Sequence, residues 1–142
     1  MKDLIVYKSF LGATKQYAEW IGEYLKADSF KFNQVTDNDM IGADRIIVMS
    51  GTYAGQMPLI GFLEKNWSIL KNKKVFVIAV GAVPPQDNMS KASYEKIPEE
   101  IRSIVKYIKV MGATPFAGSD KRREQIKKEN LKEVFAELDN FN

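Results

Sequence analysis

The sequence of 142 residues contains no cysteine and no histidine. Without cysteine there is no disulfide, no thiolate nucleophile and no thiolate metal site. Without histidine the commonest general base near neutral pH is missing, so proton transfer falls to carboxylates, tyrosine, lysine or a bound cofactor. A fold this poor in reactive side chains suits a protein whose chemistry is carried by a cofactor. No stretch approaches the roughly 18 apolar residues that a bilayer span requires. Met1-Lys2-Asp3 leads straight into a short apolar segment rather than a long signal-peptide core, which sets a cytoplasmic location with no transmembrane segment as the expectation. Two phosphate motifs are also absent: no G-x-x-x-x-G-K-[ST] occurs, and no G-x-G-x-x-G follows the first strand segment. These absences argue against a P-loop nucleoside triphosphatase and against a nicotinamide-binding domain.

What is present is ordinary globular composition, 45% hydrophobic and 27% charged. A chain of this length buries roughly 68% of its unfolded surface, enough for one core. One domain over residues 1–142 is therefore expected. The formal net charge is +3. Its local clusters, Lys71-Lys73-Lys74, Lys121-Arg122-Arg123 and Lys127-Lys128, read as solvated helix faces rather than a nucleic-acid patch.

Apolar, β-branched segments at residues 3–8, 45–49 and 75–80 predict strands buried on both faces. Residues 29–35 alternate weakly and predict an edge strand, and residues 104–110 predict a fifth. Tyr17, Trp20, Ile21, Tyr24 and Leu25 recur at helical spacing, as do Leu59, Phe62, Leu63, Trp67 and Leu70 behind Pro58. Residues 37–41 predict a short helix or turn. Ser90 to about Arg102 predicts a helix limited by Pro98, and Lys121 to Leu138 predicts a final one. Five alternations of strand and helix imply an α/β fold, a doubly wound five-stranded parallel sheet with helices on both faces.

In such a sheet ligands bind beyond the carboxyl ends of the strands, where strand order reverses. Three loops are candidates. Ser9-Phe10-Leu11-Gly12-Ala13-Thr14 offers hydroxyls, a glycine and a helix N-terminus, which serve equally as a phosphate cradle or as helix capping. Ser50-Gly51-Thr52-Tyr53-Ala54-Gly55 places bare backbone beside a tyrosine that suits a flat aromatic ligand, or is a plain strand-to-helix connection. Gly81-Ala82-Val83-Pro84-Pro85 leaves room at a strand end and then stiffens.

Tyr7-Lys8-Ser9-x-x-Gly12-x-Thr14 before an amphipathic helix resembles the FMN phosphate loop of flavodoxins. Ser50-Gly51-Thr52-Tyr53-Ala54-Gly55 is similar to their flavin-ring loop, especially in flavodoxin-domain proteins related to the bacterial oxygen-independent protoporphyrinogen oxidase. The likeness spans nearly the whole chain and implies a short-chain flavodoxin with strand order 2-1-3-4-5. It implies that Ser9, Phe10, Leu11, Gly12, Ala13 and Thr14 surround the FMN phosphate, with the Phe10 N–H turned inward. Ser50, Gly51, Thr52, Tyr53 and Ala54 would border the isoalloxazine, and Gly81 and Ala82 its pyrimidine side. A backbone carbonyl at Gly51 or Gly55 would turn toward the flavin N5. No catalytic side chain and no metal are implied.

The expected function is electron transfer through non-covalently bound FMN, first as a carrier and otherwise as a small flavin oxidoreductase. The expected partner is a redox protein or a small electron acceptor, with no nucleic acid. This chain departs from the pattern at Leu11, where a hydroxyl is usual. Its third loop lacks an outer stacking aromatic unless Tyr94 reaches in, and Asp87 is the one acid in the expected rim. A binding or scaffolding module of the same fold that has lost FMN is the alternative. A response-regulator receiver domain is disfavoured, because strands one and three end in Tyr7-Lys8-Ser9 and Met49-Ser50 instead of acids.

Overall fold

The computed structural model describes residues 1–114 and 117–141; Pro115, Phe116 and Asn142 of the expected 1–142 domain lie outside the described residues. The elements run β1 (Asp3–Lys8), α1 (Ala13–Leu25), β2 (Ser29–Lys31), α2 (Asp37–Ile41), β3 (Arg45–Gly51), α3 (Pro58–Leu70), β4 (Lys74–Gly81), α4 (Asn88–Glu95), α5 (Glu99–Arg102), β5 (Lys106–Met111), α6 (Ser119–Gln125), a 3-10 turn (Lys128–Leu131) and α7 (Lys132–Asn140). All strand pairs are parallel and the order is β2-β1-β3-β4-β5, the arrangement expected from the sequence.

The central strands are apolar on both faces because helices cover both. Leu4, Val6, Ile46, Val48, Val75 and Val77 face α2, α3 and α5. Ile5, Tyr7, Ile47, Met49, Phe76 and Ile78 face α1, the 3-10 turn and α7. Successive strand side chains point to opposite faces, so one continuous apolar run supplies two cores.

Three expected elements are altered. The strand over 29–35 stops at Lys31, where the amides of Gln34 and Val35 both turn back to the Lys31 carbonyl. The helix over 90–102 becomes α4 and α5, separated at Pro98, which cannot donate to a preceding turn. The final helix breaks at Ile126, whose backbone is extended. Asn130 makes that break favourable: its Nδ2 donates to the Gln125 carbonyl and to the Tyr17 hydroxyl, both at 2.8 Å. The Tyr17 hydroxyl in turn donates to the Met111 carbonyl at 2.6 Å. A satisfied polar knot at the end of α6 outweighs two further turns of helix there.

The amino end of the sheet carries a buried ion pair. Arg45 donates from Nε and Nη2 to the Asp3 carboxylate at 2.6 and 3.0 Å. Its Nη1 donates to the Leu138 and Phe141 carbonyls at 2.6 and 2.8 Å, which ties α7 to the sheet. Arg45→Met should therefore lower unfolding stability by about 3 kcal/mol, since it strands the Asp3 carboxylate and two carbonyls. A urea melt should show a lower midpoint at unchanged slope. A loss under about 0.5 kcal/mol, the range of neutral surface changes, would refute this role.

Candidate functional site

A cleft of about 440 Å³ opens above the carboxyl ends of β1, β3 and β4, where the chain reverses its direction of strand addition. That volume is within the ~300–1,000 Å³ usual for small-ligand sites. Its walls are largely apolar and come from all three loops singled out in the sequence.

The first loop gives Ser9, Phe10, Leu11, Ala13 and Thr14 to the cleft. Gly12 sits at the N-cap of α1 with φ +96°, a conformation that disfavours any Cβ. It faces a second pocket, shared with Lys8, Lys15 and Lys31, rather than the main cleft. The Gly12 N–H donates to Ser9 Oγ at 3.1 Å, while α1 has no side-chain cap. The first helical bond runs from Gln16 to the Gly12 carbonyl. The amides of residues 13–15 therefore have no acceptor within the helix, and the positive end of its dipole opens at the cleft. Phe10 and Leu11 are exposed, and the Leu11 carbonyl accepts from Arg122 Nη2 at 2.6 Å.

The second loop gives Gly51, Thr52, Tyr53, Ala54 and Gly55. Ser50 is fully buried beneath it. Its hydroxyl accepts from the Leu59 amide and donates to the Gly51 carbonyl, so it supports the entry to α3 and does not line the cleft. Tyr53 and Gln56 exchange backbone hydrogen bonds of 2.8 and 2.9 Å. The two residues between them, Ala54 and Gly55, have φ of 50° and 79°, the sign pattern of a type I′ turn. Helix α4 holds this turn from outside, since Ser93 Oγ and Lys96 Nζ both donate to the Gly55 carbonyl.

Tyr53 folds back over Gly51, where an added Cβ would lie 2.5 Å from its hydroxyl oxygen. That hydroxyl accepts the Phe10 N–H at 3.1 Å, and the two rings meet edge to face at 5.7 Å. The phenol thus bridges the first and second loops. Burial pushes its pKa up, partly offset by the Phe10 amide.

The third loop gives Gly81, Ala82 and Val83. Asp87 is spent on the N-cap of α4, accepting from the Met89 amide at 2.9 Å. Tyr94 does not line the cleft; it packs on Tyr107 at 4.7 Å between centroids, with the Arg102 guanidinium over its ring.

Two polar groups of the cleft stand out, Thr52, which the sequence already placed at the site, and Lys109, which it did not. Thr52 Oγ1 is buried and has no hydrogen-bond partner among the described residues. Lys109 enters the wall from β5, half-buried, and desolvation lowers its pKa. The strand-end position of Lys109 was legible, but a lone lysine in a strand reads as a solvent-facing residue. Among the described residues no cluster of acidic side chains could hold a metal ion, and no helix is long and apolar enough to cross a membrane.

The cleft fits FMN on its own chemistry. An uncapped helix N-terminus suits a phosphate, the backbone at Gly51 and Gly81 is overlaid by the Tyr53 and Lys109 side chains rather than by other backbone, which suits a flat ring beside them, and the Thr52 hydroxyl lacks a partner among the described residues.

Residues 4–118 match the sequence model of a flavodoxin domain. No curated protein matches the chain. Among solved structures, a flavodoxin from Streptococcus pneumoniae is similar at 19% identity and TM-score 0.58, covering 96% of this chain and 99% of its own. A flavodoxin from the domain Archaea is similar at 19% identity and TM-score 0.57, covering 94% of this chain and 90% of its own. A flavoprotein from Lactobacillus acidophilus, solved in complex with FMN, is 19% identical with TM-score 0.54, covering 78% of this chain and 91% of its own.

Tyr53→Phe should release the Phe10 amide. Hydrogen exchange at Phe10 should speed up markedly in the variant while core strand amides keep their protection. Unchanged Phe10 exchange would mean that the bridge between the loops does not persist in solution.

Proposed function

Since the chain belongs to the flavodoxin-domain family, we propose that it binds FMN in this cleft and passes electrons through it. The observation that carries the proposal is the Thr52 hydroxyl, buried without a partner in a cleft of largely apolar wall. Such a group costs roughly 1–3 kcal/mol when left unsatisfied. A ligand with hydrogen-bonding atoms on a flat ring edge removes that cost. The FMN bound in the Lactobacillus acidophilus relative supports the same choice of cofactor.

In this proposal the amides at the start of α1 receive the phosphate, with Ser9, Leu11, Ala13 and Thr14 around it and Gly12 setting the backbone path. The Phe10 N–H exchanges the Tyr53 phenol for a phosphate oxygen, which frees Tyr53 to cover the ring. Gly51, Thr52 and Ala54 border the ring, Gly81 and Ala82 lie along its pyrimidine side, and Ser50 acts from below through Leu59. Bound flavin supplies the electron-transfer chemistry, so the missing histidine and cysteine are no obstacle.

The protein is proposed to work in the cytoplasm on a redox partner or a small electron acceptor. Lys8, Lys15 and Lys31 beside the phosphate loop favour an acidic partner, by charge complementarity. The absence of a carboxylate from the described lining of the cleft makes a small-molecule acceptor the second form of the proposal.

Thr52→Val keeps the shape and removes the hydroxyl. The apoprotein should be as stable as wild type or slightly more so, while FMN binds roughly 3- to 10-fold more weakly, the worth of one neutral hydrogen bond. Fluorescence titration with FMN and a thermal melt measure both. Equal FMN affinity in the two proteins would remove Thr52 from the site, and no binding by wild type would overturn the proposed cofactor.

A further inference from the structure

The cleft carries two cations and no carboxylate among its described lining residues. The two cations sit at different ends. Arg122 reaches the first loop, where its guanidinium is engaged by the Leu11 carbonyl. Lys109 belongs to β5, separated from β1 and its following loop by β3 and β4 in the sheet, and so enters the cleft from the side opposite that loop. Its Nζ lies 3.0 Å from the point that a Cβ on Gly81 would occupy, and Thr52 Cβ lies 3.4 Å from the same point. The Lys109 ammonium and the Thr52 side chain therefore both border the backbone of Gly81.

An ammonium group half removed from water, with no carboxylate lining the same cleft, favours a ligand that brings negative charge to it. The phosphate of FMN would be held at the opposite end. The remaining part of the ligand able to acquire negative charge is the ring itself. Oxidised isoalloxazine is neutral. On taking two electrons from an external donor and one proton at N5, it carries one negative charge spread over its pyrimidine half. A fixed cation there interacts more strongly with the reduced ring than with the oxidised one. Only such a differential interaction shifts an equilibrium between two states.

Resting on the FMN assignment above, we propose that Lys109 is a ligand-contacting residue that makes this cleft bind reduced, anionic flavin in preference to oxidised flavin, raising the flavin's potential. Gly81 leaves room beside that lysine, since a Cβ there would lie 3.0 Å from Nζ and press on the ammonium group. The lysine thus sets which redox state is retained most tightly, while the first loop sets affinity for the phosphate common to both.

The test compares wild type with Lys109→Met and Lys109→Arg, each loaded with FMN. Dissociation constants for oxidised FMN come from fluorescence titration, and two-electron midpoints from equilibration with a reference dye. Lys109→Met should reduce the ratio of reduced to oxidised affinity by at least tenfold, the scale of a lost hydrogen bond to a charged group. For a two-electron couple, tenfold corresponds to a midpoint lower by about 30 mV. Oxidised FMN should bind nearly as before, and Lys109→Arg should keep most of the wild-type midpoint. If both variants bind FMN and Lys109→Met leaves the midpoint unmoved, the role of Lys109 is overturned while the cofactor stands. If Lys109→Met lowers affinity for both redox states equally, the lysine is a general anion contact and the redox role again falls. If wild type itself binds no FMN, the cofactor assignment fails and this inference fails with it.

Discussion

Everything at the candidate site depends on the reversal of strand order between β1 and β3. The chain first moves outward from β1 to β2, then crosses back to lay β3 on the other side of β1. The connections after β1 and β3 consequently leave toward opposite faces, and the loops beginning at Ser9 and Gly51 part at the sheet's carboxyl edge. A crevice is the geometric result, and the end of β4 closes its third side. No special residue is required to open it; side chains only decide what it holds.

The two ends of the sheet have different work. At the amino end Arg45 reaches an acid and two carbonyls in a nearly closed environment, which fixes α7 against β1 and β3. At the carboxyl end polar groups are kept in reserve: amides without helical acceptors, the Thr52 hydroxyl and, from β5, the Lys109 ammonium. Rigid strands below and turns fastened by Ser93 and Lys96 hold those groups in place ahead of any ligand. Such preorganisation lowers the ordering cost of binding.

The central strands were legible because burial on both faces leaves short, β-branched apolar runs such as Val75 to Val80, too short for a buried helix and bounded by lysine and glycine. The first and third helices were legible from spacing. The last was not, because Leu131, Val134, Phe135 and Leu138 mark helical spacing only after the break, and no proline or glycine between Lys121 and Leu131 marks the end of α6. What ends α6 is the meeting of Asn130 with Tyr17 and Gln125, a contact absent from any local pattern. At the site, loop positions followed from strand ends, so most of the expected residues line one cleft. The facing of each residue did not follow: the Ser50 hydroxyl turns under α3, and the Gly12 backbone lines the lysine pocket. Lys109 and Arg122 enter from a strand and a helix, where loop-based reasoning does not look.

The central claim is that the cleft above β1, β3 and β4 binds FMN. Amide chemical shifts of the isotopically labelled protein, recorded as FMN is added, test it most directly. Binding there predicts shifts concentrated at residues 9–15, 51–55 and 81–83, with Lys109 among them and the amino end of the sheet unmoved. Shifts confined to the pocket of Lys8, Lys15 and Lys31, or none at saturating FMN, would contradict it.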